Sequence, residues 1–487
     1  MKLRLIAATA AALFVGQAFA LTPAVVGEAA TIKVYAAGAS AIRNIVGQIF
    51  LQNCASNLDI YYSDNVAGGS FTSDGKDGDS HRVYTCTLKS DADLELDMKG
   101  KGLGGRNLAF FKRDAGGSAQ GVFPVGVPSN TANLLVNASC TSTGNAASFD
   151  PAVGTTTPSY LCKSSENVRA PDLGFSDVEP RFFKGLNALS GFSSAGLTPA
   201  QVAGLTVVPT FQTVMAVGVS NALYTALQTA QNTAGVPSVP RTVIASMTRG
   251  DLQDPQGGLG WHALGVANPT QQVNICRRAA GSGTQAAANL MFSDFPCNSS
   301  NVNVPAKNGD SYINDDFAGG NTLTPPTWTE GSFYVYEASS SGNVANCLTN
   351  ANAAGGYAIG NISRDTPPTA NWKFVALDNV EPSRDNLKAG KYDYAVESTA
   401  QYRTTALNAL NAGSADDKAK AGFITGFAKA VGRPVNMDKL ATDTKNGLAA
   451  LPSSGIYANP DNAIEAAFVS RVGRSNGNNC TPFSVVQ

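Results

Sequence analysis

The chain has 487 residues, a formal net charge of −1 and only 15% charged residues. Its length suits two or three domains, and its hydrophobic fraction of 43% is enough for normal cores. The near-neutral charge argues against a nucleic-acid partner, which would require a strongly basic surface. An anionic ligand would therefore have to be held by a local site.

A signal peptide is predicted over residues 1–20. A basic start with Lys2 and Arg4 is followed by an apolar, small-residue stretch that ends in an A-x-A cleavage pattern at Ala20. The apolar stretch is too short to span a membrane. We therefore expect a mature chain that begins at Leu21, without a lipid anchor on that residue and without membrane insertion. Its expected location is the periplasm, and onward secretion stays open.

Strands and helices are predicted to alternate along the mature chain. The predicted elements are, in chain order, a buried strand over 31–36, a helix over 40–50, a long central strand with a crossover over 205–220, a strand over 271–276, an alanine-rich helix ending at 292 and a short strand over 355–362. The first helix is indicated by apolar residues at i, i+3, i+4, i+7 and i+8, counted from Ile42. This alternation predicts an α/β fold.

Three long polar segments interrupt the alternation. They are rich in Gly, Ser, Asn, Asp and Thr and cover residues 55–105, 138–170 and 298–330. We expect them to be surface insertions and not separate domains.

Cysteine usage also indicates export. All eight cysteines follow the predicted signal, and an even number in an oxidising compartment indicates disulfides. We predict the pairs Cys54–Cys86 and Cys140–Cys162, since each would close a loop-rich insertion. With no C-x-x-C pair and only two histidines, we expect no metal and no cofactor.

Small-residue turns between a strand and a helix present free backbone N–H groups to an anion. The sequence repeats this arrangement at Ser40 and at 282–284, and Ser118 after two glycines is a third candidate. Arg278 precedes the second turn, and its guanidinium can bind two oxygens of a tetrahedral anion. Simpler interpretations stay open: Ser40 as a helix N-cap, and 282–284 as an ordinary turn.

Five stretches carry a family resemblance. They are G-A-S-A at 38–41, G-G-S at 116–118, D-L-G-F-S-D at 172–177, R-A-A-G-S-G-T at 278–284, and S-S-S-G-N-V at 339–344 followed by G-Y-A-I-G at 356–360. In order and rough spacing they resemble the periplasmic phosphate-binding proteins of ABC transporters, which have the type II solute-binding fold. The resemblance implies ligand contacts at Ser40, Ala41, Ser118, Asp177, Arg278, Ser282, Gly283 and Thr284.

The resemblance also implies a two-lobed α/β architecture with mostly parallel sheets and helices on both faces. Lobe one would comprise 21–217 and 391–487, and lobe two 218–390, with the ligand in the cleft between them. We expect a monomer that captures inorganic phosphate for an ABC permease. Asp177 could instead cap a helix or close a turn.

The predicted position of the Asp177 carboxylate beside a bound anion needs an explanation, because like charges repel. Asp177 can accept a hydrogen bond from a ligand that carries a proton, as HPO₄²⁻ does. Sulfate has no such proton at neutral pH, so two buried negative charges would face each other. The sequence therefore favours phosphate or arsenate over sulfate.

Two other functions stay open. A secreted phosphatase could use the same oxyanion cradle, although the chain has no G-x-S-x-G or H-E-x-x-H motif and we expect no enzyme activity. A surface or structural protein could retain the fold without tight binding, which would suit the polar insertions.

Overall fold

The structure, a computed structural model, describes residues 21–63, 81–162, 167–251, 260–298, 333–338, 340–452, 463–474 and 477–486. Its strands are β1 Ile32–Gly38, β2 Cys54–Ser63, β3 His81–Leu88, β4 Asn107–Arg113, β5 Thr131–Asn133, β6 Thr141–Ser142, β7 Ser148–Asp150, β8 Thr155–Thr157, β9 Tyr160–Cys162, β10 Asn167–Arg169, β11 Leu173–Ser176, β12 Leu205–Ser220, β13 Ser238–Val239, β14 Val273–Arg278, β15 Phe333–Ala338, β16 Ala358–Ser363, β17 Trp372–Leu377, β18 Ala395–Arg403, β19 Leu448–Ala450, β20 Val472–Gly473 and β21 Ser484–Val485.

Helices alternate with these strands over much of the chain. They are α1 Pro23–Gly27, α2 Arg43–Asn53, α3 Phe123–Gly126, α4 Pro199–Ala203, α5 Asn221–Ala230, α6 Arg241–Arg249, α7 Gly283–Ser293, α8 Ser341–Ala353, α9 Arg384–Lys388, α10 Thr404–Ala412, α11 Ala415–Ala430, α12 Pro434–Asp438, α13 Thr442–Asn446 and α14 Ala463–Phe468. The α/β prediction is confirmed, and each strand predicted above is present within a few residues of its expected bounds.

The main sheet is mixed and runs in the order β15-β14-β16-β12-β18-β11-β1-β4-β3-β2-β9-β6. In one half β1 pairs in parallel with β11 and β4, and in the other β14 pairs in parallel with β15 and β16. Between the two groups, β12 and β18 pair antiparallel. Parallel neighbours end at the same edge, so each group brings several strand ends together there.

The long strand β12 connects the two halves of the sheet. Its first part, up to Val214, pairs with β18, and from Met215 onward it pairs with β16. A register shift interrupts the pairing with β18 between Pro209 and Gln212. One continuous strand therefore belongs to both halves.

A separate hydrophobic cluster packs in each half. In the first, Phe50 of α2 contacts Phe110 of β4 and Phe423 and Phe427 of α11, with ring centroids 5.8–6.4 Å apart. These distances are typical of favourable aromatic pairs. The second cluster surrounds Trp261, and it includes fully buried side chains of β12, α5, β17 and β18.

All eight cysteines are paired in four disulfides. Cys54–Cys86 and Cys140–Cys162 form as predicted. Cys276–Cys347 links β14 to α8, and Cys297–Cys480 links the segment after α7 to the C-terminal segment.

The expectation that the polar segment 55–105 is a surface insertion is wrong. Most of β2 and all of β3 lie in it, both strands join the main sheet, and Tyr61 and Tyr84 are fully buried. The buried residues there are spaced among Ser, Thr and Asp, and therefore the composition alone resembles a loop. Of segment 298–330, all but residue 298 lies outside the described residues.

The predicted signal peptide, 1–20, also lies outside the described residues. Within the part of the chain that is described, no helix has both the length and the apolar character needed to cross a membrane.

Candidate anion-binding site

Polar groups from both halves of the sheet converge at one edge. Ser118 begins a 3₁₀ turn after β4, and Asp177 directly follows β11. Arg278 is the last residue of β14, and Gly283 and Ser341 begin the helices that follow β14 and β15. Each residue lies at the carboxyl end of a strand or at the start of the next helix, where an α/β sheet binds its ligands.

Ser118, Asp177 and Gly283 are in direct contact. The Ser118 hydroxyl donates a hydrogen bond to Asp177 Oδ2 at 3.0 Å, and the Asp177 backbone N–H lies 3.2 Å from the same hydroxyl oxygen. A Cβ atom at Gly283 would lie 2.4 Å from Asp177 Oδ2 and 2.6 Å from Ser118 Oγ. Only glycine therefore lets the first residue of α7 approach the carboxylate this closely.

Asp177 is 8% exposed, and its second carboxylate oxygen, Oδ1, is buried without a hydrogen-bond partner among the described residues. Burial raises the pKa of Asp177 to about 6, and the charge of Asp365 adds to the rise. The Ser118 hydrogen bond, Arg278 and Lys112 act in the opposite direction. A buried acceptor without a donor is costly, and a hydrogen bond donated to Oδ1 by a ligand would remove that cost.

Arg278 supplies a buried positive charge. It is 6% exposed, its Nε donates to Ala338 O at 3.3 Å, and its Nη1 donates to Ser341 Oγ at 3.2 Å. Burial lowers the pKa of Arg278 to about 10, whereas Asp177 and Asp365 raise it. The guanidinium therefore stays charged at neutral pH and faces a site that also contains carboxylates.

The loops of the two halves touch at this site. The Ala119 backbone N–H donates to Gly281 O at 2.9 Å. Gly117, at φ +71°, lies so close that a Cβ there would be 3.2 Å from the same oxygen. The turn after β4 and the turn before α7 are thus held against each other.

The helix that begins at Gly283 is oriented with its N-terminus at the site. Ser282 is its N-cap, with its side chain accepting the Gln285 N–H at 3.4 Å. Ser282 and Thr284 are both buried. A helix start carries unpaired N–H groups and a partial positive charge, which favour an anion.

The first predicted turn lies at the same edge. Gly38 ends β1 at φ +111°, and the Ala39 N–H donates to Phe175 O at 2.9 Å. Ser40 and Ala41 follow in a 3₁₀ turn, and both are partly exposed. The α-helix itself begins later, at Arg43. Ser40 is therefore not its N-cap, and a ligand contact at Ser40 or Ala41 stays a prediction.

No family model matches the chain, and no curated protein matches it. Among solved structures, the chain is similar to a candidate phosphate ABC transporter substrate-binding protein with bound phosphate from Clostridium perfringens, with 13% identity and a TM-score of 0.38 over 85% of this chain and 98% of that one.

The chain is also similar to an ABC-type phosphate transport receptor from Vibrio cholerae, with 13% identity and a TM-score of 0.29 over 53% of this chain and 80% of that one. A third similar structure is PstS from Borrelia burgdorferi, with 10% identity and a TM-score of 0.25 over 48% and 68% of the two chains. At these identities and TM-scores, the similarity does not assign a ligand.

Of the eight predicted site residues, six converge. They are Ser118, Asp177, Arg278, Ser282, Gly283 and Thr284. Sequence reasoning missed Ser341, Ser363 and Asp365. Ser341 accepts a hydrogen bond from Arg278, Ser363 Oγ lies 3.4 Å from Ser341 Oγ, and Asp365 interacts electrostatically with Arg278. Ser341 belongs to the S-S-S-G-N-V motif at 339–344, and Ser363 and Asp365 come shortly after the G-Y-A-I-G segment at 356–360. Their closeness in sequence to these two motifs was the signal that could have identified them.

The residues that converge here do not resemble a metal site. Across the described ranges, no group of three or more His, Cys, Asp or Glu residues is placed to hold a metal ion.

Proposed function

We propose that this protein is an exported solute-binding protein that holds a protonated oxyanion, with phosphate as its ligand. The predicted lobes, 21–217 with 391–487 and 218–390, would close around the anion and deliver it to an ABC permease. The protein would act as a periplasmic monomer without catalytic activity.

The observation that carries this proposal is that Oδ1 of Asp177 is buried and has no hydrogen-bond partner in the described part of the chain. A site for a fully deprotonated anion gains nothing from a buried carboxylate, since like charges repel. A ligand with an acidic O–H group can donate to Oδ1, while Arg278 and the start of α7 bind its other oxygens. The same cradle then discriminates against sulfate, which has no proton to donate.

Titration calorimetry of the mature protein with phosphate and sulfate tests the proposal, after unfolding and refolding to remove carried-over ligand. We expect phosphate to bind much more tightly than sulfate. The change Asp177→Asn should reduce this preference at least about tenfold, because a hydrogen bond to a charged group contributes about 1.5–3 kcal/mol.

Asp172→Asn is the matched control. Asp172 precedes the same strand at its opposite end, where its carboxylate contacts Lys420 at 2.9 Å and the Tyr35 N–H at 3.0 Å. This variant should keep the phosphate preference. Equal binding of both anions by the unaltered protein would contradict the proposal, and so would turnover of a chromogenic phosphate ester.

A further inference from the structure

A second carboxylate, Asp365, lies beside the candidate site. It follows β16 by two residues. Because β16 pairs in parallel with β14, the end of β16 and Arg278 lie at the same edge of the sheet.

Two serines connect Arg278 to Asp365. Arg278 Nη1 donates to Ser341 Oγ at 3.2 Å, and Ser341 Oγ lies 3.4 Å from Ser363 Oγ. The Ser363 side chain in turn lies two residues before Asp365 and acts to lower the pKa of that carboxyl. A continuous series of polar groups therefore runs from the guanidinium to the second carboxylate.

The Asp365 carboxylate shares the feature that makes Asp177 a candidate contact. Its Oδ1 is buried and has no hydrogen-bond partner among the described residues. Its neighbour Arg364 is directed elsewhere, with Nη1 at 3.7 Å from Asp443 and the guanidinium carbon 4.7 Å from the Phe374 ring centroid. Gly447 packs against the backbone of Asp365, where a Cβ would lie 2.5 Å from its nitrogen.

The charges that face Asp365 are shared with the anion site. Asp177 and Arg278 each interact electrostatically with it, and Arg364 does so from the adjacent position. Lys112 acts on Asp177 from β4. Burial raises the pKa of Asp365, as it does for Asp177. Two ionised carboxylates together with a dianion would leave the site with excess negative charge.

We propose that Asp365 is a second proton acceptor of the anion site, so that phosphate is bound in its dihydrogen form, with one O–H directed to Asp177 and the other to Asp365. This inference rests on the proposed function and specifies the protonation state of its ligand. In slightly alkaline solution free phosphate is mainly HPO₄²⁻. Binding then takes up one proton from the solvent, and the bound ligand and the carboxylates hold that proton between them.

Proton uptake on binding measures this directly. Phosphate binding is followed calorimetrically at pH 8 in two buffers that differ in ionisation enthalpy, and the difference in heat gives the number of protons taken up. The unaltered protein should take up about one proton, and Asp365→Asn should take up about one fewer, because the second acceptor is gone. Phosphate affinity should also fall less steeply with rising pH in Asp365→Asn.

Asp443→Asn is the matched control. It removes a carboxylate that lies 3.7 Å from Arg364 Nη1, but the Asp443 side chain is about half exposed. Its proton uptake should equal that of the unaltered protein.

Phosphite and sulfate give a second readout. The phosphite monoanion is close to phosphate in size and carries one O–H group where dihydrogen phosphate carries two, and sulfate carries none. We expect the order phosphate, phosphite, sulfate for the unaltered protein. In Asp365→Asn the gap between phosphate and phosphite should narrow, while sulfate stays the weakest.

The outcomes separate the two proposals. If the unaltered protein binds phosphate without proton uptake, or if Asp365→Asn and the unaltered protein take up the same number, the second acceptor is overturned and the proposed function stands. If the unaltered protein binds no phosphate, the proposed function itself fails. If Asp365→Asn does not fold, the number of protons that the unaltered protein takes up on binding phosphate still tests the second acceptor.

Discussion

Asp177 is buried, and of its two carboxylate oxygens one is hydrogen-bonded and the other has no partner within the described ranges. Its pKa is raised from 3.8 to about 6, mainly by burial. A carboxyl with a raised pKa favours the folded state when it is protonated. Its contribution is fully present below about pH 4 and is lost as the pH rises through about 6.

Asp177→Asn should therefore stabilise the ligand-free protein in alkaline solution. At pH 8 we expect its free energy of unfolding to exceed that of the unaltered protein by about 2–3 kcal/mol, at about 1.36 kcal/mol per pKa unit. At pH 4 the two should be similar. Urea unfolding of refolded, ligand-free protein at both pH values checks this, and a variant that is less stable at pH 8 would show that the carboxylate is satisfied in the native state.

Residues of the site differ in how far the sequence revealed them. Arg278 and the turn at 281–284 lie in one short stretch, and local patterning predicted them together. Asp365 belongs to a segment whose composition carries no anion signal. It comes to the same sheet edge as Arg278 only because β16 pairs in parallel with β14.

At the scale of elements, the start of α7 depends on a glycine. Gly283 and Gly342 each lie in the first turn of a helix at the same sheet edge. A Cβ at Gly283 would meet Asp177 Oδ2 at 2.4 Å, whereas one at Gly342 would meet only Ser340 Oγ at 3.6 Å.

Gly283→Ala should thus displace α7 from Asp177 and weaken phosphate binding, while Gly342→Ala should leave binding nearly unchanged. Both helices gain the same propensity from alanine, up to about 1 kcal/mol each. Calorimetric titration of the two variants measures the difference. Unchanged affinity in Gly283→Ala would mean that the helix start is not part of the ligand site.

Strands β2 and β3 show how an element can be missed. Their sequences contain Ser, Thr, Asn and Asp, and this composition predicted a surface insertion. In the structure the two strands pair with each other, β3 pairs with β4, and the Cys54–Cys86 disulfide joins them. Ile60, Tyr61 and Val83 in these strands favour strand structure, and their burial in the main sheet outweighs the polar residues around them.

At the scale of the whole molecule, Cys297–Cys480 connects segments 183 residues apart in sequence, whereas Cys140–Cys162 spans 22. The first ties the segment after α7 to the C-terminal segment. Asn479 of the C-terminal segment also forms two hydrogen bonds. Its N–H donates to Glu179 Oε1 at 3.0 Å, and its side-chain oxygen accepts from the Glu397 N–H of β18.

Removing the longer cross-link should therefore cost more stability. In the chain-entropy model the loss for Cys297→Ala with Cys480→Ala should exceed that for Cys140→Ala with Cys162→Ala by about 1–2 kcal/mol. Guanidinium unfolding of the two double variants provides the comparison. An equal loss would indicate that the C-terminal segment stays docked through its hydrogen bonds alone.

The sequence by itself determined the α/β alternation, two of the disulfides and the strand-turn-helix around Arg278, because each depends on residues close together in the chain or on composition. Only the tertiary structure decided that β2 and β3 belong to the sheet, that Gly283 contacts Asp177, and that Asp365 lies at the same sheet edge as Arg278. These contacts depend on the order of strands in the sheet. Strand order follows from how distant segments bury their apolar faces together, and no local pattern of residues encodes it.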